Sequence, residues 1–217
     1  MSYRLFAHPF SSYSWKAMIA LREKDIPFDL VVLESPEAMA ELRGHWPVGQ
    51  FPVLLDGDKP IIEATTIIEY LDLRHPGPAR LIPSDPEAAL EVRFMDRVFD
   101  NHVMGMMQRI VNEYLPPHNT PNPAIVESVQ GKLDIIYAWL DQRLAGQDWA
   151  TPYGFSLADC AAAPSLFYAD WVHRIPETMP ALRAYRARLN ARPSMAHCIE
   201  EARPYRAYFP LGAPDRD

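Results

Sequence analysis

The sequence predicts a small α/β domain followed by an all-helical domain. Three observations carry this. Short β-rich runs alternate with helical patterns through the first 75 residues. Four prolines and a glycine fall within the twelve residues 75–86, which makes a linker rather than an element. Beyond it, apolar residues recur every three or four positions, the spacing of amphipathic helices.

Tyr3–Ala7 reads as a short strand. Ser12 or Ser14 can cap a helix to about Lys24, with Trp15, Met18 and Ile19 on one face. Phe28–Leu33 is a second strand, rich in β-formers. Pro36 suits the first turn of a helix through Leu42. Val53–Leu55 and Pro60–Ile62 flank Asp56-Gly57, a hairpin signal. A helix runs from Glu63 to about Arg74, giving the order βαβαββα. After the linker, Met95, Phe99, Val103, Met106 or Met107, and Ile110 mark one long helix, and Ile125 through Leu144 another, with the proline-rich 116–123 between them. Ser156-Leu-Ala-Asp159 opens a third with a capping-box pattern. Pro164 inside that helix removes one donor and predicts a bend. Leu182, Tyr185 and Leu189 mark a fourth, and Ser194 is placed to cap a fifth.

Composition narrows the function classes. Twenty-one basic against twenty-eight acidic residues give a formal charge of −7, which disfavours nucleic acid, because phosphate binding needs clustered positive charge. No apolar run approaches the ~20 residues of a membrane span, and the start lacks a basic region followed by an apolar core, so neither membrane insertion nor a signal peptide is expected. Cys160 and Cys198 form no C-x-x-C motif, and the seven histidines show no ligand spacing, so no metal is expected. Two free thiols suit a reducing, cytoplasmic setting.

Three segments can carry chemistry. Phe10-Ser11-Ser12-Tyr13-Ser14 lies at the junction of the first strand and helix, where unpaired amides and the helix dipole stabilise a sulfur anion and a hydroxyl can donate to it. Plain capping serines explain the same residues. Gly49-Gln50-Phe51-Pro52-Val53-Leu54 places a proline at a strand start, where a cis bond would leave the Phe51 backbone free to pair with an extended peptide. An ordinary edge-strand proline is the alternative. Glu63-Ala64-Thr65 stands at a strand-to-helix turn, where a carboxylate can meet an ammonium and the helix amides a carboxylate, or where an acid simply favours the helix start.

Together the three segments resemble the cytosolic glutathione transferase family, in its bacterial serine-type form. Ser11-Ser12-Tyr13-Ser14-Trp15-Lys16 is similar to the zeta-class signature, Gly49-Gln50-Phe51-Pro52-Val53-Leu54 to the G-x-V-P-x-L segment, and Glu63-Ala64-Thr65 with Ile67-Ile68-Glu69-Tyr70-Leu71 to E-S-x-A-I-I-x-Y-L. Phe155-Ser156-Leu157-Ala158-Asp159 resembles the capping motif of the second domain. The resemblance implies a thioredoxin-like glutathione-binding domain over 1–76, a linker over 77–85 and a helical domain over 86–217. It further implies Ser11, with Ser12 as the second choice, as the thiolate partner. Gln50, Phe51, Pro52, Val53, Glu63, Ala64 and Thr65 are then implied around glutathione, the co-substrate. A wall for the second substrate is implied from His102, Met106, Met107, Gln108, Tyr114 and Trp171, with Arg203, Tyr205 and Phe209 over the cleft.

Two positions depart from the family pattern. Ala64 stands where a serine is usual, so the hydroxyl for the γ-glutamyl carboxylate is missing. One such bond is worth ~1.5–3 kcal/mol, or roughly tenfold to hundredfold in affinity. The Thr65 hydroxyl is the nearest substitute. Tyr13 replaces the cysteine of the zeta signature. The expected activity is conjugation of the glutathione thiolate to a small electrophile, by a homodimer. An isomerase of the maleylacetoacetate type and a non-enzymatic binding or regulatory protein are the alternatives.

Overall fold

The computed structural model describes residues 3–117 and 120–217. Strands β1 (Tyr3–Ala7), β2 (Phe28–Val32), β3 (Val53–Asp56) and β4 (Lys59–Ile62) form one mixed sheet in the order β2-β1-β3-β4. β1 runs parallel to β2, in register Tyr3 with Phe28, and antiparallel to β3, with Leu5 opposite Leu54. β3 and β4 form the hairpin, and Gly57 at its tip takes the positive φ of 60° that a tight turn demands. The helices of this domain are α1 (Ser12–Glu23), α2 (Pro36–His45) and α3 (Ala64–Arg74). This is the thioredoxin-like βαβαββα order.

The helical domain contains α4 (Pro86–Val98), a π-helical turn (Phe99–Met104), α5 (Gly105–Glu113), α6 (Pro123–Arg143), α7 (Leu157–Val172), α8 (Pro180–Asn190), α9 (Pro193–Ala202) and a 3₁₀ turn (Arg203–Tyr208). Local chemistry sets several starts. Ser35 accepts from the Ala38 amide (3.1 Å), Asp85 from Ala88 (2.9 Å) and Asn122 from Ala124 (3.1 Å), each just before a proline at the first helical position.

Three expectations are corrected. The single long helix through Met95–Ile110 is α4 and α5 joined by the π-helical turn, with the apolar stripe Met95, Phe99, Val103, Met107 and Ile110 buried throughout. Met107, rather than Met106, then falls on the buried stripe. Ser194 does not cap α9: the cap position is Arg192, and the Ser194 hydroxyl donates to Glu23, which also takes Arg192 through both oxygens. The cap of α1 is Ser11, and Ser12 and Ser14 lie inside the helix. Of the loop 116–123, His118 and Asn119 lie outside the described residues.

α7 is buried on nearly every side, as its apolar sequence requires, and forms the spine of the core. Trp15 of α1 packs on Phe167 (5.0 Å) and Tyr168 (5.2 Å) of α7, while its indole N–H donates to the Pro9 carbonyl (2.5 Å). At the start of α7, Asp159 accepts from the Ser156 amide, the Ser156 hydroxyl and the Ala150 amide (each 2.9 Å), and from the Tyr185 hydroxyl (2.7 Å). Loop, cap and α8 are thus tied to one carboxylate.

A second buried cluster joins the two domains. Lys16 of α1, fully buried, reaches Asp96 Oδ1 (2.5 Å), Asp100 Oδ2 (2.7 Å) and the Thr65 hydroxyl (2.8 Å). Arg97 closes the cluster from the solvent side on the same aspartates. Burial, and then Asp96, raise the Asp100 carboxyl above its ordinary range against the pull of Lys16 and Arg97.

Candidate functional site

A cleft of about 450 Å³ opens where α1, α3 and the approach to β3 converge. Ser11 is the N-cap of α1, with extended backbone (φ −94°, ψ 126°), and its Oγ accepts from the Ser14 amide (3.3 Å). Its hydroxyl proton meets no acceptor among the described residues, so it is available to a guest. The Ser12 and Tyr13 amides lie in the open first turn of α1, where a negative charge is favoured.

Phe51 forms the adjacent wall. The Phe51–Pro52 bond is cis, and the strand register starts only at Val53, so the Phe51 backbone stands outside the ladder. Gly49, at φ 74°, turns the chain into this wall, and Gln50 lines the cleft beside it. Opposite, Glu63 and Ala64 form the junction of β4 and α3. Glu63 makes no capping bond and holds φ 72°, an unusual value for a residue with a side chain. The first amides of α3 face the same junction.

Other sequence-predicted residues lie elsewhere. The Thr65 hydroxyl does not replace the missing serine. It takes Lys16, donates to Asp96 (3.1 Å) and takes Arg97, all in the interdomain cluster. Val53, the first residue of β3, is fully buried in the smaller core cluster and lines neither this cleft nor its neighbour.

A second cleft, about 280 Å³, continues from the first and shares Ser11, Tyr13, Phe51 and Gln108 with it. Ser12 lines only this second cleft. Its walls are Phe10, Met107, Val111, Leu115 and Phe209, with Tyr208 and Pro210 at the edge. Of the expected wall, Met107 and Gln108 lie here. His102 is exposed on the π-helical turn, and Met106 and Tyr114 are half-buried against the core. Trp171 stands one layer back, behind Phe209 (5.2 Å) and Phe10 (6.3 Å). Tyr205 covers the His8 ring (4.8 Å) instead, and Arg203 pairs with Glu200 and Asp217.

Sequence reasoning missed Trp46 and Ile62, which line the first cleft. The Trp46 indole nitrogen is buried and meets no partner among the described residues. A lone tryptophan between α2 and β3 has no periodic neighbours to reveal it. Among the described residues no lysine, arginine or histidine lines either cleft. Among them, too, no group of three or more His, Cys, Asp or Glu can hold a metal, and no helix is long and apolar enough to cross a membrane.

The two thiols belong to the core. Burial pushes the Cys198 thiol up to about 12, although its sulfur takes a hydrogen bond from Arg22 (2.8 Å), and drives Cys160 far above its ordinary value. Iodoacetamide at mildly alkaline pH should therefore label neither cysteine in the native protein and both in urea. Rapid labelling of the folded chain, read by intact mass, would contradict this placement.

Comparison with known proteins places the fold and the clefts in context. The family model for the glutathione S-transferase N-terminal domain matches residues 5–79, and that for the C-terminal domain matches 123–188. Protein LigF of Sphingobium is 26% identical, across 94% of this chain and 95% of that protein. FtsZ-localized protein A of Caulobacter vibrioides is 27% identical across 85% of each. A crystal structure of a glutathione S-transferase from Methylobacillus flagellatus with glutathione bound superposes with TM-score 0.80 at 29% identity, covering 91% of this chain and 98% of that one.

Proposed function

The chain belongs to the glutathione S-transferase family, and from that premise we propose that it binds glutathione in the first cleft and conjugates its thiolate to a small electrophile held in the second. The observation that carries this reading is the convergence of three unspent groups on one cleft: the Ser11 hydroxyl at a helix N-terminus, the Phe51 backbone outside the ladder, and Glu63 beside the α3 amides. In this reading Ser11 donates to the thiolate and, with the open turn of α1, lowers the thiol pKa. Ser12, turned to the second cleft, is the lesser candidate. The Phe51 backbone pairs with the cysteinyl unit, and Glu63 takes the γ-glutamyl ammonium. The α3 amides take the γ-glutamyl carboxylate without a side-chain hydroxyl, because Ala64 offers none and Thr65 is committed elsewhere. Gln50 and the Trp46 indole lie at the glycyl end. The ionised sulfur then faces the apolar second cleft, where it attacks.

The lining of the second cleft favours neutral electrophiles. An isomerase of maleylacetoacetate must hold a dicarboxylate, and no basic side chain among the described residues lines that cleft to do so. The non-enzymatic reading keeps one supporting observation, the γ-glutamyl end furnished only with backbone amides. A cytoplasmic homodimer belongs to the same proposal. It is supported by exposed Leu90 and Phe94 on α4, the latter set edge-to-face on Trp139 of α6 (6.3 Å).

Calorimetric titration with reduced glutathione tests the reading. The wild-type chain should bind saturably, with Kd at or below about a millimolar. Ala64→Ser should tighten binding about tenfold or more by restoring one charge-assisted hydrogen bond. Ser11→Ala should leave binding nearly intact but lower kcat/KM about tenfold to hundredfold. It should also move the acid limb of the pH–rate profile upward, because a thiolate without its donor is harder to form. No saturable heat up to several millimolar glutathione would sink the conjugation reading and favour the non-enzymatic one.

A further inference from the structure

The loop between β1 and α1 delivers Phe10 and Ser11 to the clefts, and three of its hydrogen bonds converge on His8. The Ser11 amide donates to the His8 carbonyl (3.0 Å), and the His8 amide donates to the Ser14 hydroxyl (3.2 Å). The third bond differs in kind: the Phe10 amide donates to the His8 ring nitrogen Nδ1 (3.1 Å). That bond needs a lone pair on Nδ1, so the ring proton belongs on Nε2. Nε2 in turn lies 3.8 Å from the Glu34 carboxylate. The Phe10 carbonyl accepts from the Tyr168 hydroxyl (3.1 Å). Phe10 is therefore held at both backbone groups, and the hold on its amide lasts only while the imidazole is neutral.

Two titratable groups face the ring: Glu34, just past β2, and Tyr205 of the 3₁₀ turn, which covers the imidazole edge-on (4.8 Å). Burial holds the His8 imidazole below its ordinary value, with Glu34 opposing. A histidine lowered in the folded state keeps its neutral contacts at neutral pH and loses them as pH falls through the lowered value. Protonation then sets one N–H against another where Phe10 had an acceptor, and gives the Glu34 carboxylate a cation to draw toward itself.

Building on the glutathione reading, we infer that His8 is a positioning residue: its neutral imidazole fixes the loop that presents the Ser11 hydroxyl and the Phe10 ring, and its protonation releases that loop. His8 lines neither cleft, so it acts on the placement of these groups and not on a bound sulfur. The site thus carries a proton-controlled latch set behind its walls.

His8→Asn separates the acceptor from the proton, because an asparagine oxygen accepts from the amide two residues on and does not titrate. Proton–nitrogen correlation spectra of the ligand-free wild type and His8→Asn, from about pH 7.5 to about pH 5, follow the loop directly across the histidine range. The Phe10 and Ser11 amides of the wild type should move along one titration curve with a midpoint below the ordinary histidine value, and those of His8→Asn should stay still. Over the same range, kcat/KM with glutathione and 1-chloro-2,4-dinitrobenzene should fall about fivefold to tenfold more in the wild type than in His8→Asn. That excess lies beyond the loss both share from thiol protonation, and should fall mainly on kcat. His8→Leu has no acceptor and should show the lowered kcat at every pH. Wild-type amides that ignore pH, or an acid limb that His8→Asn leaves unchanged, would overturn the assignment. The spectra need no glutathione: amides that titrate in a chain that conjugates nothing would bring down the conjugation reading and leave the latch standing.

Discussion

Asp159→Ala is expected to destabilise the fold by about 3–5 kcal/mol. The carboxylate is fully buried and collects four donors: two backbone amides, the Ser156 hydroxyl and the Tyr185 hydroxyl. Alanine leaves all four short of an acceptor in a dry interior, and each buried donor left unmet costs about 1–3 kcal/mol. Relief from burying a charge offsets part of the sum. Because the thermal midpoint of a domain this size moves about 2–4 °C per kcal/mol, calorimetric scanning should show a drop of about 10 °C. Asp159→Asn keeps one acceptor oxygen and should fall between the two. A shift under about 2 °C for the alanine variant would mean that the loop at Ala150 and helix α8 hold their places without this carboxylate.

Lys16→Met is expected to cost a similar amount, about 3–5 kcal/mol, for a different reason. Methionine fits the volume, but Asp96 and Asp100 are then buried beside each other with only the half-exposed Arg97 for compensation. The deficit should depend on pH. Burial already raises the Asp100 carboxyl in the wild type, and losing Lys16 removes the nearest cation that opposes this rise. A carboxyl whose folded pKa lies above its unfolded value holds its stabilising contribution at low pH and loses it as pH rises through the folded value. The penalty should therefore be largest at neutral pH and shrink as pH falls toward about 4, the ordinary aspartate range. Urea midpoints of both proteins across that interval give the answer. A penalty independent of pH would show that packing, not charge, dominates at this site. Since Lys16 sits on α1 and the aspartates on the helical domain, a loosened cluster should also show as earlier exchange of the α1 amides.

Much of this arrangement is legible in the sequence, and the illegible remainder has identifiable causes. Local chemistry marks the segments of Ser11, Phe51–Pro52 and Glu63 as candidates with ordinary structural alternatives, and the family resemblance singles out these residues within them. The outlines of the sheet and helices come from apolar period together with turn, proline and capping signals, within a few residues at their ends. The π-helical turn at Phe99–Met104 is invisible to that period, because Met95, Phe99, Val103, Met107 and Ile110 stay buried on one stripe through it. Wall assignments in and beyond the turn are mixed, because apolar spacing does not say which residues border a cleft: Met107 lies in the second cleft, while His102 is exposed and Met106 rests against the core. Thr65 misleads for another reason. Its position fits a cleft residue, and only the long-range arrival of Lys16 and Asp96 decides where its hydroxyl turns.

Glu63 shows what the cleft asks of the rest of the chain. With φ at 72° and no capping bond, it occupies a conformation that glycine would hold with less strain, at a helix start that serine or asparagine would stabilise better. By backbone conformation and by capping it is a poor choice, and only the helix dipole speaks for an acid there. A lineage of this chain selected for heat resistance and nothing else would discard that glutamate early, and its persistence in any such lineage would itself testify that something still binds beside it.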